Sequence, residues 1–217
     1  MGRLGLVGCV IGLVIVVLIF GGWYVGTRNH LVTLDENVNA QWGQVQNDYQ
    51  RRYDLIPNLV NTVKGYAAHE RETFEAVTNA RARVGQVAVP SGPPGSATDI
   101  TSNPQALAQY EQAQAGLGNA LSRLLVVMER YPELKANQNF LELQSQLEGT
   151  ENRIAVERKR YNDTARDYNV AIRQFPGSLA ASMGGFKPKA YFAVTNPAAN
   201  QAPTVDFGTT TSGTAPK

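Results

Sequence analysis

Residues 140–175 read FLELQSQLEGTENRIAVERKRYNDTARDYNVAIRQF, and large apolar or aromatic side chains recur along this stretch at seven-residue steps. The residues on this stripe are Phe140, Leu147, Ile154, Tyr161, Tyr168 and Phe175. A companion stripe is filled by Leu143, Ala165 and Ile172. Because a sustained seven-residue period is typical of helices that pack lengthwise against other helices, it predicts a helix over about 137–175. The two polar residues that interrupt the companion stripe, Thr150 and Glu157, favour a bundle helix over an isolated coiled coil.

Two further segments show the helical period of three to four residues. Apolar residues follow it from Leu31 to Val77 and again from Leu107 to Tyr131, which predicts amphipathic helices. Within the first segment, Pro57 removes a backbone donor and clashes with the carbonyl of Tyr53, so we expect a kink or a short break there. Asp54 is placed to cap the turn that follows such a break.

The chain between these helices, residues 88–104, is a predicted loop. Three Pro and two Gly fall within residues 90–95, a density that excludes regular structure. In the helix that follows, Gly116 and Gly118 each cost about 1 kcal/mol relative to Ala, and we expect them to permit a close helix crossing. We expect Pro132 to end that helix, since it cannot continue the backbone hydrogen bonds.

The N-terminal stretch is the candidate membrane anchor. Residues 4–25, LGLVGCVIGLVIVVLIFGGWYV, carry no charge, and 14 of the 22 are Leu, Ile, Val or Phe. As a helix they would be about 33 Å long, enough to cross a bilayer core of about 30 Å, and Trp23 and Tyr24 suit the membrane interface. A cleaved signal peptide would have a shorter apolar core, of about 7–15 residues. The stretch from Leu6 to Cys9 also resembles a lipoprotein modification site, an alternative that the short apolar run before Cys9 disfavours.

The anchor is expected to continue into the soluble part as one helix, because no Gly or Pro lies between Arg28 and Trp42. Within the anchor, pairs of small residues at four-residue spacing let membrane helices approach closely. These pairs are Gly8 with Gly12 and Gly22 with Gly26. We predict that they pack against another membrane helix, although Gly is also common in membrane helices without such a role. Arg3 and Arg28 flank the span and leave its orientation weakly specified.

The composition changes after residue 175. Pro, Gly, Ser and Thr occupy 19 of the 42 positions from 176 to 217. Aromatic residues at Phe186, at 191–192 and at 205–207 are too apolar for a free tail, so we expect this arm to dock on the bundle; an unstructured linker is the alternative. From Gly208 onward no large apolar residue remains, and we expect disorder. The chain is thus divided into a transmembrane anchor (1–27), a helical bundle (28–175) and an extended arm with its tail (176–217).

The residue sets of common enzyme classes are missing from this sequence. His30 and His69 are the two histidines, and neither follows a Glu by three residues or begins an HExxH motif. No GxGxxG, phosphate-binding loop or GxSxG occurs, and Cys9 is the single cysteine. The 20 basic and 18 acidic residues give no positive excess for binding nucleic acid. We therefore predict no enzyme activity, no cofactor, no metal and no nucleic-acid partner; an unrecognised hydrolase or metal protein is the remaining alternative.

Two stretches of the chain resemble the LemA family. The first is RRYDLIPNLV at 51–60 with VKGYA at 63–67 and His69-Glu70, and the second runs from YPELKAN at 131–137 to Phe175-Pro176. The resemblance covers about residues 23–207. It implies an N-terminal membrane anchor, an antiparallel up-and-down helical bundle in the cytoplasm and a short N-terminus outside. It also implies a bacterial protein without an established biochemical activity, and it supplies no catalytic or cofactor residues.

These features together favour a membrane-anchored, non-enzymatic scaffold or assembly protein of the bacterial cytoplasmic (inner) membrane. It would bind the lipid bilayer through residues 4–25, and a homo-oligomer is compatible with the glycine pairs. The alternative is an accessory or regulatory subunit of another membrane protein, such as a membrane protease or an envelope stress sensor. Charged positions of the first family stretch are the candidate partner contacts: Arg51, Arg52, Asp54, Lys64, His69 and Glu70.

Overall fold

The computed structural model describes residues 2–67, 69–87 and 99–193, with side chains from residue 7 onward. Within these ranges the chain forms six α-helices and no strand, which confirms the all-α prediction. The helices are α1 (Gly2–Lys64), α2 (Arg71–Gln86), α3 (Pro104–Met128), α4 (Pro132–Lys135), α5 (Gln138–Arg173) and α6 (Gly177–Gly184).

α1 is a single helix of 63 residues, about 95 Å long, that joins the apolar segment to the bundle. Among the described helices it is the one that is long and apolar enough to cross a membrane. Its large apolar side chains between Val7 and Phe20 are exposed, whereas from Leu31 onward one face is buried against other helices. This confirms the prediction that the apolar segment continues into the bundle as one rod.

Pro57 does not break α1, so the predicted break with an Asp54 cap is wrong. Asp54 instead accepts a hydrogen bond from Gln50 Nε2 at 2.8 Å. The carbonyl of Tyr53, which loses its helical donor to Pro57, accepts a hydrogen bond from Arg81 Nε at 3.4 Å. The Arg81 guanidinium also lies 3.8 Å from the centroid of the Tyr53 ring. A side chain of α2 thus replaces the missing backbone donor, and the helix continues.

The four long helices α1, α2, α3 and α5 form an up-and-down bundle in which successive helices run antiparallel. Gln41 contacts Glu157, and Arg52, farther along α1, contacts Glu151, so residue numbers rise on α1 as they fall on α5. The most extensive helix contacts are between α1 and α5 and between α2 and α3, while α6 lies against both α1 and α5.

Two cores lie along this bundle. The proximal core is at the end from which the apolar segment of α1 emerges, and its largest side chains are aromatic: Trp42, Tyr49, Tyr110, Tyr161, Tyr168 and Phe192. The distal core, at the opposite end, consists mainly of aliphatic residues packed around Phe74 and Phe140. The stripe of α5 supplies both cores, from Phe140 to Tyr168, but the prediction that Phe175 belongs to it is wrong. Phe175 is 83% exposed, because α5 ends at Arg173.

The chain before α3 is more regular than the loop predicted for it. Residues Ile100–Ser102 form one turn of 3₁₀ helix, in which Ile100 and Thr101 are buried. Pro104 is the first residue of α3, and the Asn103 side chain caps the helix by accepting from two backbone N–H groups of the first turn. Residues 88–98 of the predicted loop lie outside the described residues.

Two expectations about α3 are also corrected. The helix ends at Met128, before Pro132, which instead begins the short helix α4, where the first position needs no backbone donor. A Cβ on Gly116 would meet no described atom within 4 Å, and one on Gly118 would meet only Arg52 Nη1, at 3.9 Å. The predicted close helix crossing at these glycines is therefore wrong.

The arm starts with a helix rather than with extended chain, since residues 177–184 form α6. Residues 186–193, which we call the strap, then continue along α5 without regular secondary structure. Phe192 is buried and Phe186 is half-buried on the proximal core, which confirms docking of this part of the arm, whereas Tyr191 is exposed. The predicted contacts of residues 205–207 and the predicted disordered tail lie outside the described residues.

Candidate functional site

Arg52 lies inside the bundle although its neighbour Arg51 is exposed. Its Nη1 donates to Glu151 Oε1 at 2.9 Å, and its Nη2 donates to the backbone carbonyl of Gln114 at 3.2 Å and to the side-chain oxygen of the same residue. The guanidinium is 5.1 Å from the centroid of the Tyr49 ring, while Nε has no hydrogen-bond partner among the described residues. Arg52 therefore joins α1 to both α3 and α5.

A second arginine–glutamate pair completes an open groove of about 370 Å³ between these helices. Arg158 Nη2 lies 2.6 Å from Glu111 Oε1 and donates to the carbonyl of Ala193 at 3.1 Å. Burial raises the pKa of Glu111, against the opposing effects of the Ala193 N–H and of Arg158. Because each arginine in this groove is paired with a carboxylate, the charges in the groove balance.

The two tyrosines beside this groove, Tyr49 and Tyr110, are weaker acids than an exposed tyrosine. Burial raises the pKa of Tyr110 to about 12, and it also raises the pKa of Tyr49. Both phenols therefore stay protonated at neutral pH and act as hydrogen-bonding groups rather than as nucleophiles or bases.

Two asparagines of α5 hold the strap by its backbone. Asn169 donates to the carbonyl of Lys189 at 2.9 Å and accepts from the N–H of the same residue at 2.8 Å. Asn162, seven residues earlier, makes the same pair of hydrogen bonds with Phe192, at 3.1 and 2.9 Å. Each side-chain amide thus replaces the partner that a neighbouring strand would offer.

Two tyrosines that precede these asparagines repeat the pattern. Tyr168 donates to the carbonyl of Lys187 and Tyr161 to the carbonyl of Ala190, both at 3.0 Å. Seven residues of helix advance about 10.5 Å, and three residues of extended chain advance about 10 Å, so the two repeats stay in register. The Tyr-Asn dipeptides at 161–162 and 168–169 are visible in the sequence at seven-residue spacing, but the periodicity assigns a place only to the tyrosines, on the core stripe.

Lys189 is the buried charge of the strap. Its Nζ donates to Asp99 Oδ2 and to Thr101 Oγ1, both at 2.9 Å. The same Nζ lies 2.8 Å from Asp35 Oδ1 and forms an ion pair with it, but the angles do not meet those of a hydrogen bond. Burial alone would raise the pKa of Asp99, but hydrogen bonds from Thr101 and Lys189 outweigh it and lower that pKa. This cluster joins the strap to α1 and to the 3₁₀ turn. Sequence reasoning missed it because lysine is rarely buried.

Phe192 anchors the strap in the proximal core. Its ring centroid is 5.7 Å from that of Trp42 and 5.2 Å from that of Tyr161. The guanidinium of Arg158 lies 4.6 Å from the same ring. The strap is therefore held by apolar contact as well as by its backbone and by Lys189.

Two of the six predicted partner contacts are engaged within the bundle. Arg52 makes the contacts described above, and Glu70 Oε1 accepts a hydrogen bond from Tyr131 OH at 3.1 Å. This second contact ties the end of the α1–α2 connection to the segment between α3 and α4. Both side chains therefore have structural partners of their own.

The other four predicted contacts are exposed, but they do not form one surface. Arg51 and Asp54 lie one turn apart on α1. Lys64 lies about 15 Å beyond Asp54 along the helix, where its Nζ is 5.9 Å from the Phe74 ring centroid, and His69 lies beyond the end of α1. Their role in binding a partner stays a prediction.

The four candidate packing glycines of the anchor share one side of α1. At about 100° per residue, the four positions fall within a sector of about 80°. They are Gly8, Gly12, Gly22 and Gly26, and a Cβ on any of them would meet no described atom within 4 Å. This sector lies about 130° from the side of α1 that carries the buried Leu31 and Val38.

A bundle of this topology on a long apolar N-terminal helix agrees with a family comparison, in which the model of the LemA family matches residues 41–207. The chain belongs to the LemA family. Curated relatives of this LemA-family protein include magnetosome protein MamQ 2 of Paramagnetospirillum magneticum and magnetosome protein MamQ of Magnetospirillum gryphiswaldense. Each is 32% identical over 174 residues, which cover 76% of this chain and 64% of the relative.

A further relative of this LemA-family protein is Protein LemA of Metamycoplasma hominis. It is 24% identical over 152 residues, which cover 70% of this chain and 62% of that protein. The chain thus spans less than two thirds of the length of these relatives. Their names denote no catalytic activity.

Proposed function

We propose that this LemA-family protein is a non-enzymatic scaffold of the bacterial cytoplasmic membrane, anchored by one membrane-spanning helix. The observation that carries this proposal is the continuity of α1, which runs without a break from the apolar segment through the whole bundle. A continuous helix transmits the position and tilt of the anchor directly to the bundle. Such coupling is useful in a protein that organises partners beside a membrane.

The scaffold is proposed to assemble through its anchors. In lipid, close backbone packing drives helix association, and small residues allow it. The glycine sector of Gly8, Gly12, Gly22 and Gly26 faces open space along about 27 Å of α1. Because this sector points about 130° away from the bundle contacts of α1, two anchors can pair while their bundles remain on opposite sides.

The size of the purified full chain in mild detergent at micromolar concentration tests this assembly. We expect an oligomer that the double variant Gly12→Leu, Gly22→Leu shifts toward monomer. Gly21→Leu is the matched control, because Gly21 is adjacent to this sector in sequence but lies outside it, and it should leave the oligomer intact. A strict monomer for the unaltered chain would contradict the scaffold proposal.

The bundle is proposed to lie in the cytoplasm. Three exposed basic residues, Arg28, Arg173 and Lys187, lie near the proximal end of the bundle. Basic residues close to a membrane span favour the cytoplasmic side. In the folded chain, Arg173 and Lys187 add their positive charge to that of Arg28 near the span. A reporter fused after Lys217 should be active as a cytoplasmic fusion, and activity only outside the cytoplasm would overturn this orientation.

A second candidate function is that of an accessory subunit docking on another membrane protein, such as a membrane protease or a stress sensor. Exposure of Arg51 and Asp54 on one turn of α1 favours it, since neither side chain is needed to hold the helices together. Crosslinking in native membranes, with partners identified by mass spectrometry, should lose a partner when Arg51→Glu is combined with Asp54→Arg. Arg123→Glu, an exposed change on α3, is the control. Unchanged partners in the double variant would count against this candidate.

A further inference from the structure

Helix α6 presents an apolar stripe that the rest of the described chain leaves uncovered. Phe175, Leu179 and Met183 follow one another at four-residue steps and are 83%, 39% and 60% exposed. Residues four apart lie on the same side of a helix, so Leu179 and Met183 share one face of α6, and Phe175 lies just before it. Leu179 and Met183 therefore face outward from one side of α6, and Phe175 adds a third exposed apolar side chain in the turn before it.

The opposite face of α6 already serves the fold. Gly177, Ala180 and Ala181 are buried, and α6 contacts both α1 and α5. A Cβ on Gly177 would lie 2.1 Å from the carbonyl oxygen of Ala171, so only glycine fits at this close approach. Since small residues dock the helix on the bundle, the stripe of large residues is free for another surface.

The position of α6 along α1 indicates which surface that is. A Cβ added to Gly177 would lie 3.8 Å from Leu31 Cδ2, so the start of α6 is next to Leu31. Leu31 is eight residues, or about 12 Å, beyond Trp23 along α1. Tyr24, at the expected membrane interface, packs against the same core to which Ala180 and Ala181 belong. Gly177, the first residue of α6, therefore lies about 12 Å beyond the expected interface along α1, at the end of the bundle nearest the bilayer that α1 would span.

The surrounding charges fit the same environment. Arg28, Arg173 and Lys187 are exposed near α6, and cationic side chains beside an apolar helix face are typical of helices that bind anionic membrane surfaces. A stripe of three side chains is also too narrow for a stable protein interface, which needs about 1,000 Å² or more. The stripe therefore suits lipid better than a second copy of the chain.

We propose that Phe175, Leu179 and Met183 insert into the boundary between headgroups and acyl chains of the bilayer that α1 spans. The bundle is then held at two points, by α1 and by α6, and its tilt relative to the membrane is fixed. This inference rests on the membrane anchoring in the proposed function, and the experiment separates the two.

The test uses the full chain with Cys9→Ser and one new cysteine carrying an environment-sensitive fluorophore. The protein is reconstituted in vesicles of phosphatidylcholine and phosphatidylglycerol with nitroxide-labelled lipids. The new cysteine replaces Met183, Ile15 in the apolar segment, or Leu141, an exposed residue of α5 beside the distal core. We expect labels at 15 and 183 to be quenched several-fold more by nitroxide lipids than the label at 141, and to be shielded from aqueous iodide.

A charged substitution in the stripe provides the second readout. Leu179→Glu should release the label at 183 into water, whereas Val156→Glu, at an exposed apolar position of α5, should leave it unchanged. If the label at 183 is as open to iodide as that at 141 while the label at 15 is shielded, the interfacial contact is wrong and the anchor stands. If labels at 15 and 183 are both open to iodide, the anchor is wrong as well. Shielding of 183 without nitroxide quenching would assign the stripe to protein contact and overturn the proposal.

Discussion

Replacing Lys189 by methionine should release the strap from the bundle. The substitution keeps a long apolar side chain but removes the positive charge that lies 2.8 Å from Asp35 and 2.9 Å from Asp99. Two buried carboxylates then lose the cation that they share, and removing one partner of a buried ion pair typically costs about 3–5 kcal/mol. The strap can relieve this cost by detaching, because detachment lets water reach both carboxylates.

The effect is measured by hydrogen exchange of the strap amides in the full chain in mild detergent. The N–H groups of Lys189 and Phe192 are bonded to asparagine side chains and exchange only when the strap opens. A loss of about 3 kcal/mol corresponds to exchange that is roughly 150-fold faster at position 192. Lys187→Met is the matched control, since Lys187 is two residues away and exposed, and it should leave exchange unchanged. Exchange in Lys189→Met within a few-fold of the unaltered chain would refute the reasoning.

Three further expectations follow from the same geometry. Arg52→Ala should lower the free energy of unfolding by about 1.5–3 kcal/mol in urea titrations, because Arg52 is buried and hydrogen-bonded. Arg51→Ala should change it by less than about 0.5 kcal/mol, and equal losses for the two variants would contradict the different burial of the two arginines. Phe192→Ala should cost about 3–5 kcal/mol of strap docking and expose Trp42 to aqueous quenchers, and an unchanged Trp42 would contradict the aromatic packing. Protection of the strap amides from hydrogen exchange should be constant from pH 7 to about 5 and fall below about pH 4. The reason is that folding lowers the pKa of Asp99, so this carboxylate stabilises the fold only while it is ionised. The same fall in protection in Asp99→Asn would exclude Asp99 as the cause.

The regular parts of the fold could be predicted from periodicity. The seven-residue stripe from Phe140 to Tyr168 and the uninterrupted stretch from Arg28 to Trp42 each depend on which face of one helix is apolar, and local sequence records that directly. Pro57 shows where this reasoning fails. Its cost is local, but the donor that offsets it, Arg81, lies on another helix and is visible only after folding.

The candidate site was harder to predict than the helices. Sequence reasoning grouped Arg51 with Arg52, although the first is exposed and the second is buried beside Glu151 and Gln114. Partners 62 and 99 positions away in the chain decide that difference. Lys189 carried no signal of burial at all, because its two carboxylates come from α1 and from the turn before α3.

Residue spacing alone predicts a long apolar helix continuous with an all-α bundle, because both features follow from patterns along single helices. The folded structure was needed to see that the Tyr-Asn repeats of α5 and Lys189 fasten the strap, and that the apolar residues of α6 face outward beside the anchor. The two kinds of feature differ in the distance along the chain over which residues must interact. Helix formation depends on neighbours within a few residues, whereas a buried charge or an uncovered apolar face is defined by segments distant in the chain.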